Sequence, residues 1–247
     1  GARPRWALLS LSLPVADKNW IDDFANGFAR LAKRFGVTLV GGDTCSGPLS
    51  ITVVILGDVP TGEALRRDTG MAGDLVYVSG TLGDAALALR GRLAGQPATA
   101  DLDRALDCPR PQLELGRRLR GLATACIDLS DGLLADLGHL GRASGLGAEI
   151  QLDQLPASAH LAALGDAERW SLQLAGGDDY GLCFSVPESG SAVLPDISRD
   201  LGVGLTRVGR LVRGTRVQCL DAAQDEWTPP AQGWEHFSSK REGPDRG

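Results

Sequence analysis

The stretch CIDLSDGLLADL, Cys126–Leu137, decides how the fold is interpreted because two hydrophobic patterns meet in it. Its first residues form a short apolar run that predicts a buried strand, whereas the leucines after Gly132 recur at helical spacing. Acids interrupt both patterns: Asp128 and Asp131 stand at the predicted strand end, and Asp136 lies inside the predicted helix. The junction between strand and helix is therefore a candidate functional site.

The composition of the chain narrows the possible classes of protein. The 247 residues are 43% hydrophobic and carry a formal net charge of -6. This length suits one large domain or two smaller ones, and the excess of acid disfavours a nonspecific nucleic-acid binder. No apolar run approaches 18 residues, so no membrane-spanning helix is expected. The five cysteines lack C-x-x-C spacing and indicate reduced thiols, as in a cytoplasmic protein.

Two domains are predicted, residues 1–60 and 70–240, separated by the polar segment PTGEALRRDTGMAGD. The first reads as a strand that stops at Pro14, a helix capped by Asp17, and two strands joined by a loop, GGDTCSGP. The second mixes strands and helices without regular alternation, with a Pro- and Asp-rich loop between its first two helices. The expected fold class is α+β with mixed sheets packed against helices.

Four segments combine glycine with aspartate near predicted strand ends. They are GGDTCSG (41–47), SGTLGDA (79–85), DLSDG (128–132) and AGGDDYG (175–181). Glycine permits close backbone approach to a phosphate, and carboxylates supply the hard oxygen ligands that Mg²⁺ prefers. Together the segments favour a nucleotide-metal site over any one segment alone.

Each segment also has a simpler explanation. A single Gly-Gly-Asp commonly forms a turn, and Asp131 can cap the helix that follows it. Asp128 is harder to explain, because a cap does not require a second acid within the strand, and strand spacing places Asp128 on one side with Ser130. We expect Asp136 on the exposed side of the helix, without a catalytic role.

Other patterns give weaker signals. Arg66 and Arg67 could bind phosphate as a fork, or could simply be solvated. No segment matches the P-loop or the Rossmann pattern, and no histidine stands beside a serine and an acid in a way that supports a catalytic triad. A phosphate site in this chain would be of another design.

Taken in order, the motifs resemble the thiamine-monophosphate kinase family, part of the ATP-binding superfamily that includes aminoimidazole ribonucleotide synthetase. The motifs are PRWALLSLSLP, GVTLVGGDT, VSGTLGDAA, CIDLSDGLLADL, GGDDY and GW-x-HF. The resemblance implies a two-domain aminoimidazole ribonucleotide synthetase-like architecture with an incomplete N-terminal ATP- and Mg-binding domain, and a homodimer for the full-length protein. It implies Mg²⁺-dependent transfer of the γ-phosphoryl group of ATP to thiamine monophosphate, giving thiamine diphosphate.

The resemblance also assigns roles to particular residues, position by position. It assigns ATP binding to Gly42, Asp43, Arg67 and Ser130, metal binding to Asp43, Asp128 and Asp131, and substrate binding to Gly181 and Trp234.

The chain also departs from the family pattern in ways that qualify this expectation. The sequence begins where the family has a further acidic N-terminal segment, so we expect a truncated chain with little activity of its own. Gly181 replaces a glutamate that the family places after the tyrosine of GGDDY. The alternatives are another synthetase or kinase of the same superfamily, or a noncatalytic nucleotide-binding fragment.

Overall fold

The computed structural model describes residues 1–230, and the chain divides into two compact units, Gly1–Ala64 and a second that begins at Leu65. The strands are β1 (Arg3–Leu13), β2 (Thr38–Ser46), β3 (Ser50–Asp58), β4 (Leu75–Ser79), β5 (Ala125–Asp128), β6 (Gly147–Gln151), β7 (Leu182–Val186), β8 (Leu205–Val212) and β9 (Val217–Leu220). The helices are α1 (Lys18–Phe35), α2 (Asp84–Leu93), α3 (Ala100–Asp107), α4 (Leu113–Arg118), α5 (Leu133–Ser144), α6 (Ala159–Ala162), α7 (Asp166–Ala175) and α8 (Leu194–Leu201).

The first unit is a three-stranded sheet in the order β2-β1-β3 with helix α1. Strand β1 pairs in parallel with β2 and antiparallel with β3. The predicted cap is confirmed: the Asp17 carboxylate accepts hydrogen bonds from the amides of Asn19 and Trp20. Gly36 caps the end of helix α1 in a left-handed conformation, and its amide donates to carbonyl oxygens of the last turn.

One expectation for this unit was wrong. The segment GGDTCS belongs to strand β2, not to a loop, because its backbone continues the ladder with β1 from Leu8↔Gly41 to Leu13↔Ser46. The ladder satisfies the backbone polar groups and outweighs the turn preference of Gly and Asp.

The second unit contains a six-stranded mixed sheet in the order β5-β7-β4-β8-β6-β9. Alternation along the strands sends residues to opposite faces: Val76, Val78 and Cys183 join one buried cluster, and Leu75 and Phe184 join the other. Leucines of α5 and α7 cover the first face, and apolar residues of α4 and α8 cover the second. The sheet is therefore buried on both faces.

The architecture confirms the α+β class with mixed sheets. The segment predicted as a Pro- and Asp-rich loop instead contains helix α3, which begins after Thr99, whose hydroxyl accepts a hydrogen bond from the amide of Leu102. Among the described residues, no helix has the length and apolar character needed to cross a membrane. All five cysteines are free thiols, as expected.

Candidate active site

The junction between β5 and α5 is a turn held from both sides. Strand β5 ends at Asp128, which lies opposite Leu182 of β7, and the Leu129 amide donates a hydrogen bond of 3.0 Å to the carbonyl of Gly181. Leu129 itself is buried in the core. Gly132 then adopts φ 104°, which admits glycine most easily, and α5 begins at the next residue. The turn places Ser130 and Asp131 just before the first residue of α5.

The expected exposure of Asp136 was wrong. Its side chain is only 3% exposed, and its Oδ2 atom accepts hydrogen bonds from the amides of Ser130, at 2.9 Å, and Asp131, at 3.1 Å. Burial raises the pKa of Asp136, partly against these two amide hydrogen bonds. The acid within the helix therefore fixes the turn that precedes the helix, and no side chain of the turn caps α5.

The segment AGGDDYG forms the second wall of the site through a strained loop. Asp178 and Tyr180 adopt left-handed φ angles of 69° and 47°, which cost non-glycine residues about 1–3 kcal/mol each. The amide of Asp178 donates to the Ser130 carbonyl at 3.0 Å, and that of Tyr180 donates to the Leu129 carbonyl at 2.8 Å. A Cβ atom on Gly177 would lie 2.6 Å from the Ser130 carbonyl oxygen, so the two loops touch through a glycine.

Between these loops and helix α2 lies an open cleft of about 640 Å³. One side is polar and is formed by Ser130, Asp131 and Asp178. The other is apolar and comes from Ala86, Leu89 and Leu93 of α2, with Arg90, Tyr180 and residues 175–177 completing the lining. The cleft can therefore receive a ligand with a charged end and an apolar ring.

The polar side of the cleft carries uncompensated negative charge. No ion pair within residues 1–230 includes Asp128, Asp131 or Asp178, and within that range the Ser130 hydroxyl makes no hydrogen bond. Partial burial raises the pKa of Tyr180, and so do its hydrogen bond to Asp178 and the charges of Asp178, Asp128 and Asp131. The negative charges of these three carboxylates are therefore all felt at the Tyr180 hydroxyl, in the cleft.

The donor set suits a hard divalent cation. Within residues 1–230 no three His, Cys, Asp or Glu side chains are grouped to hold a metal on their own. Mg²⁺ usually takes one or two carboxylates and completes its coordination with water and phosphate oxygens. Asp128 and Asp131, which flank a free serine hydroxyl, fit a cation that shares its coordination with a bound phosphate.

The first unit holds the other predicted ATP and metal residues, Gly42 and Asp43. Both lie in β2, where Asp43 is exposed and its Oδ1 atom accepts a hydrogen bond from the Thr44 amide. A Cβ atom on Gly42 would lie 1.8 Å from the carbonyl oxygen of Leu9 in the neighbouring strand. The glycine is therefore required by strand pairing, whatever it binds.

Two further predicted residues, Arg67 and Gly181, do not line the cleft. Arg67 is exposed, and its carbonyl accepts a hydrogen bond from Ser144, at the end of α5 remote from Ser130. Gly181 is buried, and a Cβ atom there would lie 2.8 Å from the Ser79 carbonyl oxygen. Trp234 lies outside the described residues. Of the predicted set, Ser130 and Asp131 line the cleft, and Asp128 lies next to them in sequence at the end of β5.

Sequence reasoning did not assign roles to Asp178, Asp179 and Tyr180, although it identified their segment. The signal was the pair of adjacent acids followed by an aromatic residue. The left-handed backbone of Asp178 and Tyr180, which turns both residues toward the cleft, depends on contacts with the Ser130 loop.

Comparison with known proteins identifies the family of this chain. Residues 1–59 match the family described as AIR synthase related protein, N-terminal domain, and residues 71–221 match its C-terminal domain. The chain is 39% identical over 254 residues to the thiamine-monophosphate kinase of Salmonella typhimurium, covering 97% of this chain and 75% of that protein. The chain belongs to the thiamine-monophosphate kinase family. The Escherichia coli K12 member is 40% identical, with the same coverage.

Solved structures of this enzyme family have the same fold. The thiamine-monophosphate kinase of Stenotrophomonas maltophilia superposes with a TM-score of 0.84 at 44% identity, covering 88% of this chain and 72% of that one. AaThiL, solved in complex with AMPPCP and TMP, superposes with a TM-score of 0.82 at 29% identity, covering 96% and 75%. The expected aminoimidazole ribonucleotide synthetase-like architecture is confirmed.

Proposed function

We propose that this protein transfers the γ-phosphoryl group of ATP to thiamine monophosphate in a Mg²⁺-dependent reaction, giving thiamine diphosphate by direct in-line transfer. The observation that carries the proposal is the cleft, where unpaired carboxylates and a free hydroxyl face an apolar wall. Family membership and the AMPPCP and TMP complex of AaThiL support both substrates. The apolar wall, with Tyr180, suits the pyrimidine ring of thiamine.

The charge of the cleft supports thiamine monophosphate as the occupant. Thiamine carries a cationic thiazolium ring, and Asp178 is a carboxylate without a cationic partner among the described residues. The one arginine in the lining, Arg90, is already paired with Glu168 at 2.8 Å. A cationic ring beside Asp178 would therefore be attracted more strongly than a neutral base.

The chemistry requires no protein nucleophile. The phosphate of the acceptor is largely a dianion near neutral pH, since its second pKa is about 6, and it attacks without a general base. The barrier lies in bringing two polyanions together, so catalysis depends on positioning and on neutralising charge. Ser130 would donate a hydrogen bond to a phosphate oxygen, and the Asp136 carboxylate keeps the backbone of Ser130 and Asp131 in place.

The metal would neutralise phosphate charge during transfer. Asp128 and Asp131 would hold it, and the metal-binding role of Asp43, which lies in the first unit, stays a prediction. The exposed Asp128 and half-buried Asp131 have no competing cation among the described side chains.

The test is an assay for the product. The purified protein is incubated with ATP, MgCl₂ and thiamine monophosphate, and thiamine diphosphate is measured by chromatography. Product should form, should disappear with EDTA, and should not form from thiamine, which lacks the acceptor phosphate. ADP release without thiamine diphosphate, or equal turnover with another acceptor, would contradict the proposal.

A further inference from the structure

Asp179 stands between the two cleft residues of the strained loop but faces another way. Both of its carboxylate oxygens lie within hydrogen-bonding distance of the Gly83 amide, at 3.0 Å and 3.1 Å. Gly83 is the residue that precedes α2; it has a left-handed φ of 87° and offers no side chain to cap the helix. Asp179 therefore supplies, from 96 residues away in sequence, the acceptor that the helix start lacks.

The residues on either side of Asp179 form hydrogen bonds with the Ser130 loop and not with α2. The amides of Asp178 and Tyr180 donate to carbonyls of the Ser130 loop, and the side chains of both residues line the cleft, whereas that of Asp179 does not. Each is held in a left-handed conformation that an unrestrained chain would leave. One side-chain contact to α2 thus anchors the centre of a loop whose two neighbours form the cleft wall.

The surroundings leave this anchor little freedom. A Cβ atom on Gly83 would lie 2.9 Å from the backbone of Leu172, and one on Gly176 would lie 2.3 Å from the Leu172 carbonyl oxygen and 2.5 Å from Ala86. Helix α2, helix α7 and the loop therefore meet at van der Waals distance. Desolvation, together with the neighbouring Asp84 and Asp178, raises the pKa of Asp179 to about 8, so the group is mostly uncharged at neutral pH.

From this geometry we infer that Asp179 is a positioning residue for the acceptor site: its carboxyl group fastens the strained loop to α2 and so sets Asp178 and Tyr180 against the substrate. Because the group works as a hydrogen-bond acceptor and not as a charge, asparagine can replace it. The kinetic part of this inference rests on the proposed function, since it is measured through thiamine monophosphate.

The test compares three variants at one site. Asp179→Ala should raise KM for thiamine monophosphate about tenfold and leave KM for ATP within about twofold, since the loss of one net hydrogen bond of about 1.4 kcal/mol corresponds to a factor of ten. Asp179→Asn should restore both constants to within about twofold of wild type. Asp179→Glu, which keeps the carboxyl group but adds a methylene, should displace the loop and raise the same KM severalfold. Thr99→Ala, which removes the cap of α3 in the same unit, is the matched control and should leave both KM values unchanged.

A second measurement separates this inference from the proposed function. Hydrogen exchange of the Asp178 and Tyr180 amides should accelerate in Asp179→Ala and not in Asp179→Asn, whether or not the protein turns over. A wild-type protein without turnover would sink the proposed function alone, and the exchange rates would still decide the role of Asp179. The positioning role would be overturned if Asp179→Ala kept the wild-type exchange rates and the wild-type KM for thiamine monophosphate. It would also be overturned if Asp179→Asn raised that KM as much as Asp179→Ala does. If Asp179→Ala does not fold, a wild-type KM in Asp179→Glu would overturn it.

Discussion

The tripeptide Gly-Gly-Asp occurs twice in this chain and has two different structures. At 41–43 it lies in the middle of strand β2, with Asp43 exposed and its backbone paired to β1. At 176–178 it follows helix α7 and turns into a left-handed loop that carries Asp178 to the wall of a cleft. In both places a glycine permits backbone contact that a Cβ atom would prevent, with Leu9 in one case and Ser130 in the other. The surrounding chain, and not the tripeptide, decides whether the aspartate lies on a strand or on a strained loop.

Alanine substitutions at the middle glycine of each tripeptide, Gly42 and Gly177, should lower the free energy of unfolding by different amounts. We expect Gly42→Ala to lower the free energy of unfolding by about 4 kcal/mol, because its Cβ atom would meet a strand carbonyl 1.8 Å away at a φ of 150°. Gly177→Ala should cost about 2 kcal/mol, since its contact with the Ser130 carbonyl oxygen, at 2.6 Å, is less close than the contact at Gly42. Urea denaturation measures both. Gly27→Ala, with nothing within 4 Å in helix α1, is the control and should stabilise by up to about 1 kcal/mol; equal costs at 42 and 177 would contradict the comparison.

The two aspartates should differ in which substrate they affect. Asp43→Asn is expected to lower kcat/KM for ATP about 100-fold, about 2.7 kcal/mol, because a predicted metal ligand loses its charge. Asp178→Asn is expected to raise KM for thiamine monophosphate about tenfold with little effect on ATP. Steady-state kinetics with each substrate varied in turn distinguish these effects. The same substrate profile for both variants would remove the distinction between the two sites.

Asp136 and Asp17 both accept hydrogen bonds from backbone amides near the start of a helix, but only Asp136 is buried. Comparing them measures how much burial adds to the stability that such a hydrogen bond contributes. Asp136→Ala should cost about 2 kcal/mol, because the amides of Ser130 and Asp131 lose a buried acceptor, and turnover should fall with it. Asp17→Ala, which frees the amides of Asn19 and Trp20 in solvent, should cost about 1 kcal/mol. Asp136→Asn keeps an acceptor and should be close to wild type in a denaturation curve. A turnover unchanged in Asp136→Ala would show that the turn holds its shape without the acid.

The regions differ in how much of their structure could be predicted from the sequence, and the reasons are physical. Helix α1 and its cap were predictable because their signals, the aromatic spacing and Asp17, are local. The extension of β2 through GGDTCS was not, because its ladder partner lies more than 30 residues away in β1. Asp136 was misjudged because its partners are backbone amides, which no side-chain pattern displays.

The sequence predicted the chemical character of the cleft but only some of the residues that form it. Strand spacing singled out Asp128 and Ser130, and the family resemblance added Asp131, whereas Asp178 and Tyr180 depend on a left-handed loop fixed by tertiary contacts. The predicted roles of all the site residues stay predictions: Gly42, Asp43, Arg67, Asp128, Ser130, Asp131, Gly181 and Trp234.

The pH dependence of stability gives the smallest expected effect. The folded pKa of Asp179 lies near 8, above its unfolded value near 4, so folding favours the protonated form and its contribution weakens as pH rises from about 4 to 8. Asp179→Asn removes this dependence. Its melting temperature should match wild type near pH 4 and exceed it by roughly 3 °C, about 1 kcal/mol, at pH 8, because the half-buried group is partly solvated. A difference that is constant with pH would contradict the raised pKa.

The most direct test of the central claim, that the carboxylates of the cleft serve Mg²⁺-dependent phosphoryl transfer, is thiamine diphosphate formation by Asp128→Asn beside Asp153→Asn. Both residues are exposed acids of the second unit, but only Asp128 lies beside Ser130 and acts on Tyr180. We expect a roughly 100-fold or greater loss of turnover for Asp128→Asn, with an unchanged melting temperature, and wild-type turnover for Asp153→Asn. Turnover in Asp128→Asn within about twofold of wild type would contradict the claim.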